Sequence, residues 1–175
     1  MHDSRETLSI EELVKLGHWV EDRLSAATNL TLYYDQPLAF RPLGKMIGNN
    51  GDGCGVCGIL GILGMLANGS YALCGIGETV SDLVFGHAAT DPLEDIWNNT
   101  PVLVELRSGL PHRFEGICGD CLMKGMCLGS CVAQNYYRSR SIWAPYWFCE
   151  EAYKQRLFPE TRVLPKISKE EYPGL

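Results

Sequence analysis

Apolar residues recur at helical spacing near the start of the chain, with Leu13, Leu16, Val20 and Leu24 on one face of a segment that runs over residues 8–27. Ser9 supplies an N-cap, Glu12 completes a capping box, and Leu8 stands where it can staple against Leu13. The pattern then changes. Leu30-Thr31-Leu32-Tyr33-Tyr34 is rich in β-formers and bounded by Asn29 and by Asp35-Gln36-Pro37, which predicts a buried strand over 30–34. Helix followed at once by strand is what one slice of an α/β repeat looks like.

After Pro42 the texture becomes glycine-rich, so a boundary is expected near Gly44, separating residues 1–43 from 44–175. Leu63 to Ala67, the turn Asn68-Gly69 and Ser70 to Cys74 predict a hairpin with a two-residue type I′ turn. Asp91-Pro92-Leu93-Glu94 predicts a helix capped by Asp91 with proline at its first position. Thr100-Pro101 predicts another helix, which Gly109 ends. Lys166, Lys169, Glu170 and Glu171, between Pro165 and Pro173, read as a mobile end. The fold class expected is α+β.

Composition narrows the function. The 175 residues are 46% hydrophobic with net charge −6, the wrong sign for a surface that gathers phosphates, so nucleic acid is not an expected partner. The longest mostly apolar stretch, Gly55 to Ala67, falls short of the roughly 20 residues of a membrane span, and no membrane partner is expected. No secretory pattern opens the chain, so the expected location is a reducing cytoplasm.

Eight cysteines are many for that compartment. Their spacing is Cys54-x2-Cys57-x16-Cys74, then, after 43 residues, Cys118-x2-Cys121-x5-Cys127-x3-Cys131-x17-Cys149. A CxxC loop lets two thiolates converge while neighbouring amides turn toward sulfur. Gly55, Gly58, Gly75 and Gly119 each follow a cysteine directly, which frees those loops to aim amides at sulfur. Three chemistries compete for these residues: disulfides, disfavoured in a reducing compartment; structural zinc in two four-cysteine sites; and iron–sulfur clusters, which lead because eight thiols divide into two sets of four.

The cysteine pattern resembles the SPASM domain, the auxiliary-cluster extension of many radical S-adenosylmethionine enzymes that mature peptides and proteins. Its signature is matched by Cys57, eleven residues, Gly69, four residues, Cys74, then Cys118, Cys121, Cys127, Cys131 and Cys149, with Cys54 as the further upstream cysteine. The resemblance spans about Gly44 to Phe158 and implies a small cysteine-rich domain, with a hairpin and short helices around two [4Fe-4S] clusters. One cluster would take Cys54, Cys57, Cys74 and Cys131, the other Cys118, Cys121, Cys127 and Cys149. It also implies that residues 1–43 are the last helix and strand of a radical S-adenosylmethionine barrel.

The same resemblance implies a peptide or protein substrate, that barrel as partner, and a reductant such as ferredoxin or flavodoxin. It further implies oxidoreductase chemistry in peptide maturation, with the clusters serving electron transfer or substrate positioning. No CxxxCxxC occurs, so the chain alone is expected not to cleave S-adenosylmethionine, which would belong to a longer parent enzyme. Gly75 stands where sulfatase-maturing members carry an aspartate base, which argues against formylglycine chemistry. Catalytic residues are unassigned. The alternative from another class is a four-cysteine zinc or cluster module that recognises a peptide without redox chemistry. Trp143, Tyr146, Trp147 and Phe148 beside Cys149 are expected to shield a site rather than stack a substrate.

Overall fold

A computed structural model describes residues 7–30, 32, 34–47, 57–75 and 80–165. Cys54, Thr31, Tyr33 and the charged tail from Lys166 lie outside the described residues. Mixed helices and one small antiparallel sheet make the architecture α+β.

The first helix, α1 (Ile10–Trp19), starts as its residues dictate. The Ser9 backbone N–H donates to Glu12 Oε2 at 2.7 Å and the Glu12 N–H donates to Ser9 Oγ at 3.2 Å, closing the capping box. Helical backbone continues through a π-helical stretch, Val20–Leu24, to Ala27. The strand expected over 30–34 does not form at its described residues. Leu30 is 76% exposed, and Tyr34 instead donates its hydroxyl to the Leu13 carbonyl at 3.3 Å. β-propensity alone does not make a strand without a neighbouring edge, and the sheet lies elsewhere.

That sheet has the order β1 (Gly64–Met65), β2 (Ser70–Ala72), β3 (Val84–His87), all antiparallel. The reversal between β1 and β2 is not the expected type I′ turn. Leu66 O accepts from Gly69 N and Leu66 N donates to Ser70 O, both at 2.9 Å, which makes a three-residue loop of Ala67, Asn68 and Gly69. Only Gly69 enters the left-handed region, at φ +87°, as the last position of such a loop requires. β3 was not expected from sequence; at four residues with Gly86 inside, it has too few alternating positions to announce itself.

Six α-helices follow the sheet among the described residues, and the first, α2 (Leu93–Asn99), is capped by Pro92, not Asp91. The Asp91 carboxylate instead accepts the His87 N–H at 2.7 Å, tying the helix start to β3. Next, α3 (Pro101–Gly109) begins and ends where its proline and glycine predict. Two short helices, α4 (Gly116–Gly119) and α5 (Lys124–Cys127), precede α6 (Val132–Ser139) and α7 (Trp147–Lys154).

Two apolar cores hold these elements. Leu73, Val80, Leu83, Leu103, Leu106 and Val132 pack the sheet against α3 and α6. Ile10, Val14, Leu38 and Phe40 join Phe148, Ala152 and Phe158 in the other, so the N-terminal segment and α7 share one core. Phe40 meets the Phe148 and Phe158 rings edge-on at 5.1 and 5.6 Å. Each such ring buries about 1.5–3 kcal/mol of transfer free energy, enough to fix the segment there. Among the described residues, no helix is long and apolar enough to cross a membrane.

Candidate metal centre

The cysteines divide between the two cores: Cys121 and Cys149 lie in the second with Cys127 packed against it, and Cys118 lies in the first with Cys57, Cys74 and Cys131 packed against it. Cys118 sits on α4, Cys121 on the following loop, Cys127 at the end of α5 and Cys149 on α7. The loop is fastened from behind: Cys121 bridges Val163, Leu122 N donates to Arg162 O at 2.8 Å, and Leu164 N donates to Asp120 O at 2.7 Å. These attachments set all four cysteines on the lining of one pocket, walled otherwise by Ala39, Ile117, Met123, Tyr146 and Phe158.

Burial in that apolar shell penalises thiolate. It pushes the Cys118 thiol up to about 12 and raises Cys149, Cys121 and Cys127 above the ordinary thiol value, the neighbouring thiols adding to the effect at Cys118, Cys127 and Cys149. Hydrogen bonds push back. Tyr146 N donates to Cys118 Sγ and Met123 N to Cys121 Sγ, each at 3.3 Å. The backbone amides of Leu38, Ser130 and Gly129 act on Cys127, and the positive charges of Arg162 and Lys124 act on Cys121. None of these donors is a glycine directly following a cysteine; at Cys57 the amide that acts on sulfur is that of Ile59, one residue past Gly58.

A second group forms at the foot of the sheet. Burial raises the Cys57 thiol above its ordinary value, the neighbouring Cys131 and Cys74 add to the effect, and the Ile59 amide opposes it. All three are only half-buried. Cys54, expected beside them, lies outside the described residues. The two groups meet in the loop from Cys127 to Cys131, where Leu128, Gly129 and Ser130 follow one another at φ 48°, 72° and 59°. Left-handed backbone costs a non-glycine residue roughly 1–2 kcal/mol, and it turns the Gly129 and Ser130 amides toward Cys127. Asn135, 2% exposed, clamps the loop by donating Nδ2 to Gly129 O at 3.0 Å.

Among the described residues, no three Cys, His, Asp or Glu side chains close on a point that would hold a single metal ion. The thiols surround a space rather than a point. Sequence reasoning named the cysteines but missed Leu128, Ser130, Asn135, Arg41 and Arg162, none of which sits in a spacing that announces its role. Of the aromatics expected as shielding, Tyr146 lines the cavity and Phe148 is buried beside it, whereas Trp143 and Trp147 lie beneath Arg113 and Arg138 at 4.1 and 5.0 Å.

Residues 54–122 match the family model of SPASM, an iron-sulfur cluster-binding domain. That span holds Cys54, Cys57, Cys74, Cys118 and Cys121 and ends before Cys127, Cys131 and Cys149. No curated protein and no solved structure matches the chain.

Proposed function

With residues 54–122 a SPASM segment, and SPASM an iron–sulfur cluster-binding domain, we propose that the chain holds two [4Fe-4S] clusters. Cys118, Cys121, Cys127 and Cys149 would ligate one, and Cys57, Cys74 and Cys131 with Cys54 the other. The observation that carries this is the cavity on which four cysteines from separate elements converge, Cys118, Cys121 and Cys149 buried and Cys127 half-buried. Buried thiols resist ionisation on their own, and a cationic metal group takes them as thiolates. The donor set fits that group.

When bound, such clusters supply one-electron transfer. The chain's own residues set the conditions. Tyr146 and Phe148 keep water from the cavity, and the amides of Met123, Tyr146 and Leu38 stabilise charge on sulfur. Four protein ligands leave no open position for a substrate thiolate, which favours electron relay over direct substrate binding. The wider setting would be modification of a peptide or protein by a radical S-adenosylmethionine barrel, with ferredoxin or flavodoxin as electron source.

The second reading is a zinc module that recognises a peptide. Tetrahedral zinc needs its sulfurs at about 2.3 Å from one ion, and the described thiols would have to draw inward to reach that. Anaerobic reconstitution with iron, sulfide and zinc counts decides between them. About eight iron and eight sulfide per chain support two clusters, and about two zinc without iron overturn them.

A further inference from the structure

Two half-buried arginines, Arg41 and Arg162, lack the partners that four other arginines have. Arg107, Arg113, Arg138 and Arg140 each lie over an aromatic ring, and Arg113 and Arg140 also pair with Glu105 and Asp82. Arg41 and Arg162 do neither among the described residues. Arg41 donates one Nη2 to the Tyr34 carbonyl at 2.7 Å, and Arg162 donates Nη2 to the Arg41 carbonyl at 3.3 Å. The Nε of both is buried with no acceptor. Two adjacent guanidinium groups with unspent donors are costly unless negative charge stands near them.

Their placement says which negative charge. The Arg162 carbonyl receives the Leu122 N–H, and the next residue, Val163, bridges Cys121, so Arg162 is strapped to the Cys121 loop. Arg41 lines a second cavity, of about 280 Å³, together with Cys57, Cys127 and Ser130. Asp35 lines that cavity too, without forming an ion pair with Arg41. Lys124 supplies a third cation on the wall of the four-thiol cavity, its Nζ held by the Gly119 carbonyl at 2.7 Å. Arg162 and Lys124 act on Cys121, whereas the charges that act on Cys57 are those of Cys131 and Cys74; Arg41, on a cavity shared by Cys57 and Cys127, favours neither group.

We infer that Arg162, with Lys124, is a positioning charge for the cluster held by Cys118, Cys121, Cys127 and Cys149, raising its reduction potential selectively over that of the other cluster. The inference rests on the two-cluster reading above. Reduction adds one electron and breaks no bond, so the cluster's negative charge grows by one, and a fixed cation nearby favours the reduced form. Guanidinium suits the task because it stays charged at every working pH and is weakly hydrated.

The test uses the full chain, anaerobically reconstituted and titrated with dithionite while EPR follows each reduction step. Arg162→Gln is expected to keep its iron and sulfide counts and to lower the midpoint of one step by about tenfold in the reduction equilibrium, 59 mV for a one-electron couple, leaving the other step in place. Arg162→Lys, which keeps the charge and loses the planar fork, is expected to restore most of that shift. Midpoints unchanged in Arg162→Gln overturn the inference, as does an equal fall in Arg162→Lys, which would mark a packing role. If Arg162→Gln fails to load iron, Lys124→Gln reads the same equilibrium through the other cation beside Cys121, and an unmoved midpoint there overturns the inference. A wild-type chain without iron overturns the two-cluster reading itself, before any variant is compared.

Discussion

The four-thiol and three-thiol groups are built from the same side chain and differ in their surroundings. Cys118, Cys121 and Cys149 are 5–8% exposed, roofed by Ala39 and Phe158, and answered by amides and cations. Cys57, Cys74 and Cys131 are half-buried at the foot of a small sheet, with the Ile59 amide opposing burial at Cys57. Burying thiols deeply demands that the protein supply compensation nearby; leaving them half-wet lets solvent supply part of it. The N-terminal segment packs on the four-thiol group through Leu38, Ala39 and Phe40.

The comparison breaks most sharply when one group is emptied. Cys118→Ala is expected to halve the iron per chain, from about eight to about four, and to loosen α4 and α7; Cys74→Ala is expected to remove the other half and spare α7. Iron and sulfide counts on both variants check this, and undiminished iron in Cys118→Ala would refute the assignment. Next in size, Phe40→Ala removes a ring that packs on Phe148 and Phe158 and is expected to cost about 3–5 kcal/mol. Denaturant unfolding measures it, and the cluster held by the four-thiol group should then be lost to chelator first. Equal loss of both clusters would show that the N-terminal segment does not favour one group.

Alkaline pH separates empty from loaded protein. In the metal-free chain the Cys118 thiol titrates near 12 rather than at its ordinary 9.0, because burial penalises its charged form. A thiol whose folded value is raised contributes stability that is present below about 9 and disappears as pH climbs toward 12. At 1.36 kcal/mol per unit the loss is on the order of 4 kcal/mol, and Cys149 changes in the same direction. The metal-free melting temperature is expected to fall across that window while the loaded chain, whose thiols are already ionised, holds. Parallel falls would show that the thiols are not the titrating groups.

The cysteines and their spacing were readable because thiols are few and CxxC is short. The α1 start was equally readable, since Ser9 and Glu12 act within one turn. What escaped the sequence depends on contacts between distant segments. Residues 30–34 have strand-like composition, yet Leu30 lies in solvent because no described edge receives it. Asp91 has capping chemistry, yet β3 takes its carboxylate first. Arg41 and Arg162 lie 121 residues apart, and nothing local in either segment marks them as partners.

The smallest expected effect lies in the loop that joins the two groups. Ser130→Gly removes the left-handed penalty of roughly 1–2 kcal/mol and adds back about 0.5–1 kcal/mol of unfolded-chain entropy. It also removes the hydroxyl that bonds Tyr146, worth about 0.5–1.5 kcal/mol. These terms nearly cancel, so the denaturant midpoint is expected to move by less than about 1 kcal/mol in either direction, with iron retained in full. Gly129→Ala, one residue away, meets the Phe114 ring as well as the left-handed backbone, and only strain is added. A clear loss in Gly129→Ala beside near-neutrality in Ser130→Gly would show that this backbone shape is required between Cys127 and Cys131. Similar losses in both would mean that the Ser130 hydroxyl, rather than the left-handed turn, holds the two groups in register.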